Sequence, residues 1–297
     1  MADSWLVVSD ETGQFDSVGS SNRPLGVGLV MARLADWQAA LEEDLDGQSV
    51  ARLCAKPIPG LDQHSKYHHV RDFLLFANSQ PKHQNPWKKK AGNPTLVAAA
   101  AHLDRLFRWL LHHPRLITLG LIGPAGAIKR ALASQQEDPA VLIGKLTARP
   151  LMLIWPFLNN DDRLLIAPGQ RSEKAGSKAM VRVGRTFMKA INYQDRDRGL
   201  AGPRTMVSTL LGEVRSTASN FPHLDPQRCD AGTLAYLENE CTQLRAVQLD
   251  RLALIAIADL AASLALLTSG FADHNLHYPS SPWPNARFYR IEEVSPV

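Results

Sequence analysis

Runs of apolar residues alternate along this chain with polar breaks marked by glycine or proline, and the run lengths separate strands from helices. Trp5 to Val8 is a short apolar run with β-branched residues that stops at Ser9-Asp10-Glu11-Thr12-Gly13, which predicts a strand ending in acid. A second run, Leu25 to Ala32, follows Pro24. The two runs predict antiparallel neighbours joined through residues 13–24. Over residues 34–45 the spacing becomes helical, with Leu34, Trp37, Leu41 and Leu45 on one stripe and Glu42, Glu43 and Asp44 off it.

From Pro57 to Pro94 the chain is polar, with a helix predicted near Tyr67 to Ala77 and an exposed loop over 79–94 that carries Trp87, Lys88, Lys89 and Lys90 among prolines and asparagine. A helix is predicted from Thr95 to His112, a strand from Leu116 to Ile122, and helices over much of 124–158. A strand follows at Leu164 to Ala167, ending at Pro168-Gly169, and then a helix from Ser172 to about Ile191. Residues 192–204, charged and glycine-rich, read as a loop. A last apolar helix runs from Arg251 to Thr268, and the proline-rich tail over 274–297 reads as an extended strap. Strands alternating with helices define an α/β class: a mixed sheet flanked by helices, with helical insertions. No internal repeat interrupts this order, and the 297 residues read as a single domain.

Composition narrows the picture without deciding it. A 45% hydrophobic content is enough for one large core, and disorder over most of the length is excluded. The formal net charge of +4 is too slight to establish a nucleic-acid partner, so the distribution of charge has to carry that argument. No apolar run reaches membrane-spanning length, and no basic segment precedes the first one. Cys54, Cys229 and Cys241 form no CxxC pair, which fits reduced thiols in a cytoplasmic protein better than a disulfide framework.

Two carboxylates stand out. Asp259 lies in Ala256-Ile257-Ala258-Asp259-Leu260-Ala261-Ala262, a stretch apolar nearly all round and therefore buried. An uncompensated carboxylate there would cost several kcal/mol or become protonated, so it requires a cation, a metal ion, an internal salt bridge or hydrogen-bond donors. Asp10 lies at the carboxyl end of a strand, where ligands of α/β sheets gather, although an acid in a turn also caps its own loop. Taken together the two suggest a site for a hard divalent cation, Mg²⁺ or Mn²⁺, which would activate water and stabilise charge on a phosphate.

The helix after Ala167 adds a basic stripe. Lys174, Lys178, Arg182, Arg185 and Lys189 recur at spacings of 4, 4, 3 and 4, inside a sector of about 80° at helical geometry. Such like charges repel by a few tenths of a kcal/mol per pair, a repulsion that a polyanion relieves. With Trp87 as a stacking aromatic and Lys88, Lys89 and Lys90 beside it, the stripe forms a candidate nucleic-acid groove; a solvated basic face is the alternative. Other signals are weaker. Gly120, Gly123 and Gly126 do not follow GxGxxG, and neither the pair His64 and His68 nor the doublets His68-His69 and His112-His113 have the partners of a zinc site, so they read as solvated or capping residues.

The segment Ser9-Asp10-Glu11-Thr12-Gly13 after an apolar strand, and the later helix with Ala258-Asp259-Leu260 followed by small residues, resemble in order and separation the two end motifs of the bacterial family called domain of unknown function 3800, a ribonuclease-H-like group. The resemblance covers most of the chain, and only those two motifs are specific. It implies a ribonuclease-H-like fold and a metal-dependent nuclease, in a bacterial defence or mobile-element system, with Asp10 and Asp259 as metal ligands and Glu11 beside them as a third catalytic residue. One departure matters: the family's middle strand ends in an acid, whereas this chain has Ala167-Pro168-Gly169-Gln170-Arg171. Asp62, Glu173, Asp195 and Asp250 are the acids that would have to substitute. Without one, the implied protein is an inactive relative that binds nucleic acid, a protein partner or a second copy of itself.

Overall fold

The computed structural model describes residues 3–13, 24–55, 70, 94–132, 142–143, 146–147, 149–150, 163–168, 206–208, 251–268 and 286–290. Strand β1, Ser4–Thr12, is longer than its apolar run: it continues through Asp10 and Glu11 because both are paired in the ladder with β2, Pro24–Arg33. The pairing is antiparallel, as the two runs predict, and sets Val8 opposite Val30, Asp10 opposite Gly28 and Glu11 opposite Val27. β2 pairs in turn with β3, Ile117–Pro124, again antiparallel.

Three further strands extend this meander. β4, Arg163–Pro168, lies parallel to β1 on its free side, and β5, Met206–Ser208, lies parallel to β4. β6, Ala286–Arg290, lies parallel to β3, giving the order β5-β4-β1-β2-β3-β6. The tail read as a strap thus contributes a strand, and β5 falls just after the segment read as a loop. Among the described residues five strands point one way and β2 runs against them, so the carboxyl ends of β1, β3, β4, β5 and β6 share one edge of the sheet.

Leu6, Val7 and Val8 are all buried, as are Leu25 to Ala32, which marks β1 and β2 as strands covered on both faces. Period-two alternation sends Leu6, Val8, Val30 and Ala32 to one face. There they share a core with the helices α1 (Leu34–Glu42), α2 (Val50–Cys54), α3 (Pro94–His112) and α5 (Arg251–Thr268). On the other face Leu25, Val27 and Leu121 pack with α4, Ala125–Leu132, and with Leu142, Ile143 and Leu146. Of the three glycines set aside for not following GxGxxG, Gly120 and Gly123 lie inside β3 and are paired with β2, and Gly126 lies in α4.

Trp37 of α1 is fully buried, and its Nε1 donates to the Leu6 carbonyl oxygen at 2.9 Å, fixing α1 onto β1. Trp37→Ala is expected to lower unfolding stability by about 3–5 kcal/mol through the cavity it leaves. Trp37→Phe, which keeps most of the volume but removes the indole N–H donated to the Leu6 carbonyl, should cost about 0.5–1.5 kcal/mol. Urea unfolding followed by circular dichroism measures both, and a Trp37→Phe protein as stable as the wild type would show that the hydrogen bond contributes nothing.

Candidate functional site: a buried carboxylate cluster

α5 is apolar because it lies across the middle of the sheet, against β1, β2 and β3. Ala256, Ala258, Ala261, Ala262 and Ala265 are buried on it, and small residues let a helix approach a sheet closely. The closest approach is at Gly28, where a Cβ would overlap the backbone of Ala261 and Ala262. Since Gly28 is the register partner of Asp10, the helix carrying Asp259 is pressed onto the strand next to Asp10.

Asp259 is 7% exposed, and its Oδ2 accepts the Val70 backbone N–H at 2.6 Å. That bond supplies part of the compensation a buried carboxylate requires, in the hydrogen-bonded form foreseen among the alternatives. Asp10 is half-buried, and its Oδ1 accepts the Glu11 backbone N–H at 2.9 Å. Its pKa is raised well above the ordinary carboxyl value: first by loss of hydration, then by the negative charges of Glu11 and of Asp259. The Glu11 amide opposes this, while a side-chain hydrogen bond with Glu11 adds to it. Alternation along β1 assigns Glu11 to the opposite face from Asp10, yet the two carboxyls interact at the strand end.

Of the three acids singled out in the sequence, Asp10 thus feels the charge of both Glu11 and Asp259. Among the described residues no set of three His, Cys, Asp or Glu side chains is arranged to enclose a metal ion. Mg²⁺, however, is commonly held by one or two carboxylates together with water and substrate phosphate, and a like-charged pair in a partly dry site is a donor set of that kind. At the end of β4 Ser9 pairs with Pro168, and Gly169 and Gln170, which follow it in sequence, lie outside the described residues. Trp87, Lys88, Lys89, Lys90 and the stripe Lys174, Lys178, Arg182, Arg185 and Lys189 lie outside the described residues, as do Asp62, Glu173, Asp195 and Asp250.

Two features escaped sequence reasoning. The Val70 amide had no signal, being a backbone group at an unremarkable apolar position. Gly28 had one, since glycine inside a strand marks a close backbone approach. A second polar cluster stands apart from the carboxylates. His113, in the turn between α3 and β3, is 8% exposed rather than solvated. Its Nδ1 accepts the Arg115 N–H at 3.2 Å and its Nε2 lies 3.1 Å from Glu43 Oε2, an oxygen that also accepts from Trp109 Nε1. Its pKa is lowered by burial, against the pull of Glu43. The cluster ties the end of α1 to the start of β3 and is fully used in doing so.

Set against known protein families, curated proteins and solved structures, the chain finds no match in any of the three. No helix among the described residues is long and apolar enough to cross a membrane, α5 included.

Because its folded pKa is raised, Asp10 contributes stability that is complete below the unfolded carboxyl range, about pH 4, and is lost as pH rises through the folded value. Asp10→Asn should therefore raise the Tm at neutral pH, by about 2–4 °C for each kcal/mol of repulsion relieved. The gain should vanish near about pH 3, where the wild-type carboxyl is also neutral. Thermal unfolding across pH checks this, and a Tm that falls at neutral pH would show that the Asp10 charge is stabilising instead.

Proposed function

We propose that this chain is a ribonuclease-H-like phosphodiesterase that cleaves RNA or DNA with the help of Mg²⁺ or Mn²⁺ in the cytoplasm. The observation that carries the reading is the packing that brings Asp10 and Asp259, from near opposite ends of the sequence, to one region: Asp10 near the carboxyl end of β1 is the register partner of Gly28, and the α5 backbone just after Asp259 is seated on Gly28. The mixed sheet supports it: an antiparallel meander extended by β4 parallel to β1 brings strand ends together at that edge.

Asp10 and Asp259 would hold the cation, and Glu11 would add negative charge at its border. When bound, a divalent cation neutralises the phosphate and lowers the pKa of water. The Val70 amide orients the Asp259 carboxylate, and the apolar walls of α5 and β1 keep the site in a low dielectric, where charge interactions are strong. The basic residues Lys174 to Lys189 and Trp87 to Lys90 would hold the nucleic-acid backbone and stack a base.

Cleavage of labelled single- and double-stranded RNA and DNA in Mn²⁺ or Mg²⁺ tests the proposal. Asp10→Ala and Asp259→Ala are each expected to lower the rate by about 100-fold or more, as loss of a charge-stabilising group does. An equally active double variant would remove both residues from catalysis. A second reading is favoured by the Val70 bond to Asp259 and by the sequence Pro168-Gly169-Gln170 at the end of β4: a non-catalytic subunit that binds nucleic acid or a protein partner. Salt-sensitive binding without cleavage in any divalent metal would decide for it.

A further inference from the structure

We propose that Gly28 is a positioning residue of the carboxylate cluster: lacking a side chain, it sets the depth at which α5 lies on the sheet, and through that depth the approach of Asp259 to Asp10. As far as cation binding is concerned, this inference rests on the functional reading above.

The glycine is not required by its backbone, which is ordinary extended strand with no positive φ. It is required by space. Asp10 and Gly28 are register partners, and alternation places both on the face where Leu6, Val8, Val30 and Ala32 meet α5. A Cβ at position 28 would overlap backbone atoms of Ala261 and Ala262, and those atoms cannot rotate aside as a side-chain tip can. Restoring ordinary contact needs the helix to retreat by on the order of 1 Å. Asp259 precedes Ala261 and Ala262 by less than one turn, so it moves with them as part of one hydrogen-bonded cylinder. The next inward glycine of the same strand makes the contrast. The atoms nearest a Cβ at Gly26 belong to Leu121 and Ile122 across the ladder, not to α5. The two glycines on one face of β2 therefore serve different purposes, Gly26 the fit of β2 to β3 and Gly28 the seat of the helix.

A double-mutant cycle distinguishes positioning from mere packing. Unfolding free energies are measured in chelator at mildly alkaline pH for Asp10→Asn, Asp259→Asn and the pair, each in the wild-type, Gly28→Ala and Gly26→Ala backgrounds. In wild type and in Gly26→Ala the two replacements should be non-additive, because either alone relieves the repulsion between the carboxyls. In Gly28→Ala the non-additivity should fall by at least half. Unchanged coupling in Gly28→Ala, or an equal loss in Gly26→Ala, would overturn the proposal. If Gly28→Ala does not fold, Ala262→Val enlarges the buried helix residue whose backbone makes that contact, and its cycle is read by the same criteria. Mn²⁺ titration of the wild-type, Gly28→Ala and Gly26→Ala proteins adds the functional arm: affinity should drop at least tenfold in Gly28→Ala alone. Absence of Mn²⁺ binding to the wild type would sink the cation reading and leave the cycle to decide the role of Gly28.

Discussion

A carboxylate on an otherwise apolar helix has to find its compensation inside the molecule, and the structure around α5 is organised by where Asp259 finds it. One oxygen takes the Val70 amide. Its charge also contributes to the raised pKa of Asp10, an unfavourable interaction that packing nonetheless enforces. The apolar contacts of α5 with β1, β2 and the surrounding helices hold the two acids together against their repulsion. A fold that wanted only stability would place a leucine or an alanine at 259, since well-packed apolar residues match or exceed buried charges in stability.

That conflict between local cost and global packing is what makes the cluster a functional candidate. Strongly shifted carboxyls occur where burial and like charges are held together, and such arrangements concentrate at sites of chemistry. The His113, Glu43 and Trp109 cluster offers a contrast within the same molecule. There each polar atom named has a complementary hydrogen-bond partner, and the network joins the end of α1 to the turn before β3.

Much of this was legible in the amino-acid order. The β1 and β2 runs, their antiparallel pairing and the α5 boundaries follow from apolar periodicity and punctuation, because burial dictates those positions directly. Asp10 and Asp259 were visible for the opposite reason, as acids in places where burial argues against them. The extension of β1 through Asp10, Glu11 and Thr12 was not visible, since a polar residue is admitted into a strand by the ladder that pairs it, and that ladder is a tertiary fact. β6 was masked by its proline-rich surroundings, and Val70 by being an ordinary apolar residue whose contribution is a backbone N–H. Gly28 carried a readable signal whose meaning, the seat of a helix, needed α5 in place.

The proposed function stands on whether Asp10 and Asp259 hold a divalent cation between them, and a crystal structure of the wild-type chain grown in Mn²⁺, with anomalous scattering to locate the metal, decides it. The expected result is a single strong peak coordinated by oxygens of both Asp10 and Asp259, at about 2.0–2.2 Å if the ion is held as hard cations are, and absent from Asp10→Asn crystals. Both carboxylates well ordered with no metal between them, or Mn²⁺ bound elsewhere and retained in Asp10→Asn, would contradict it.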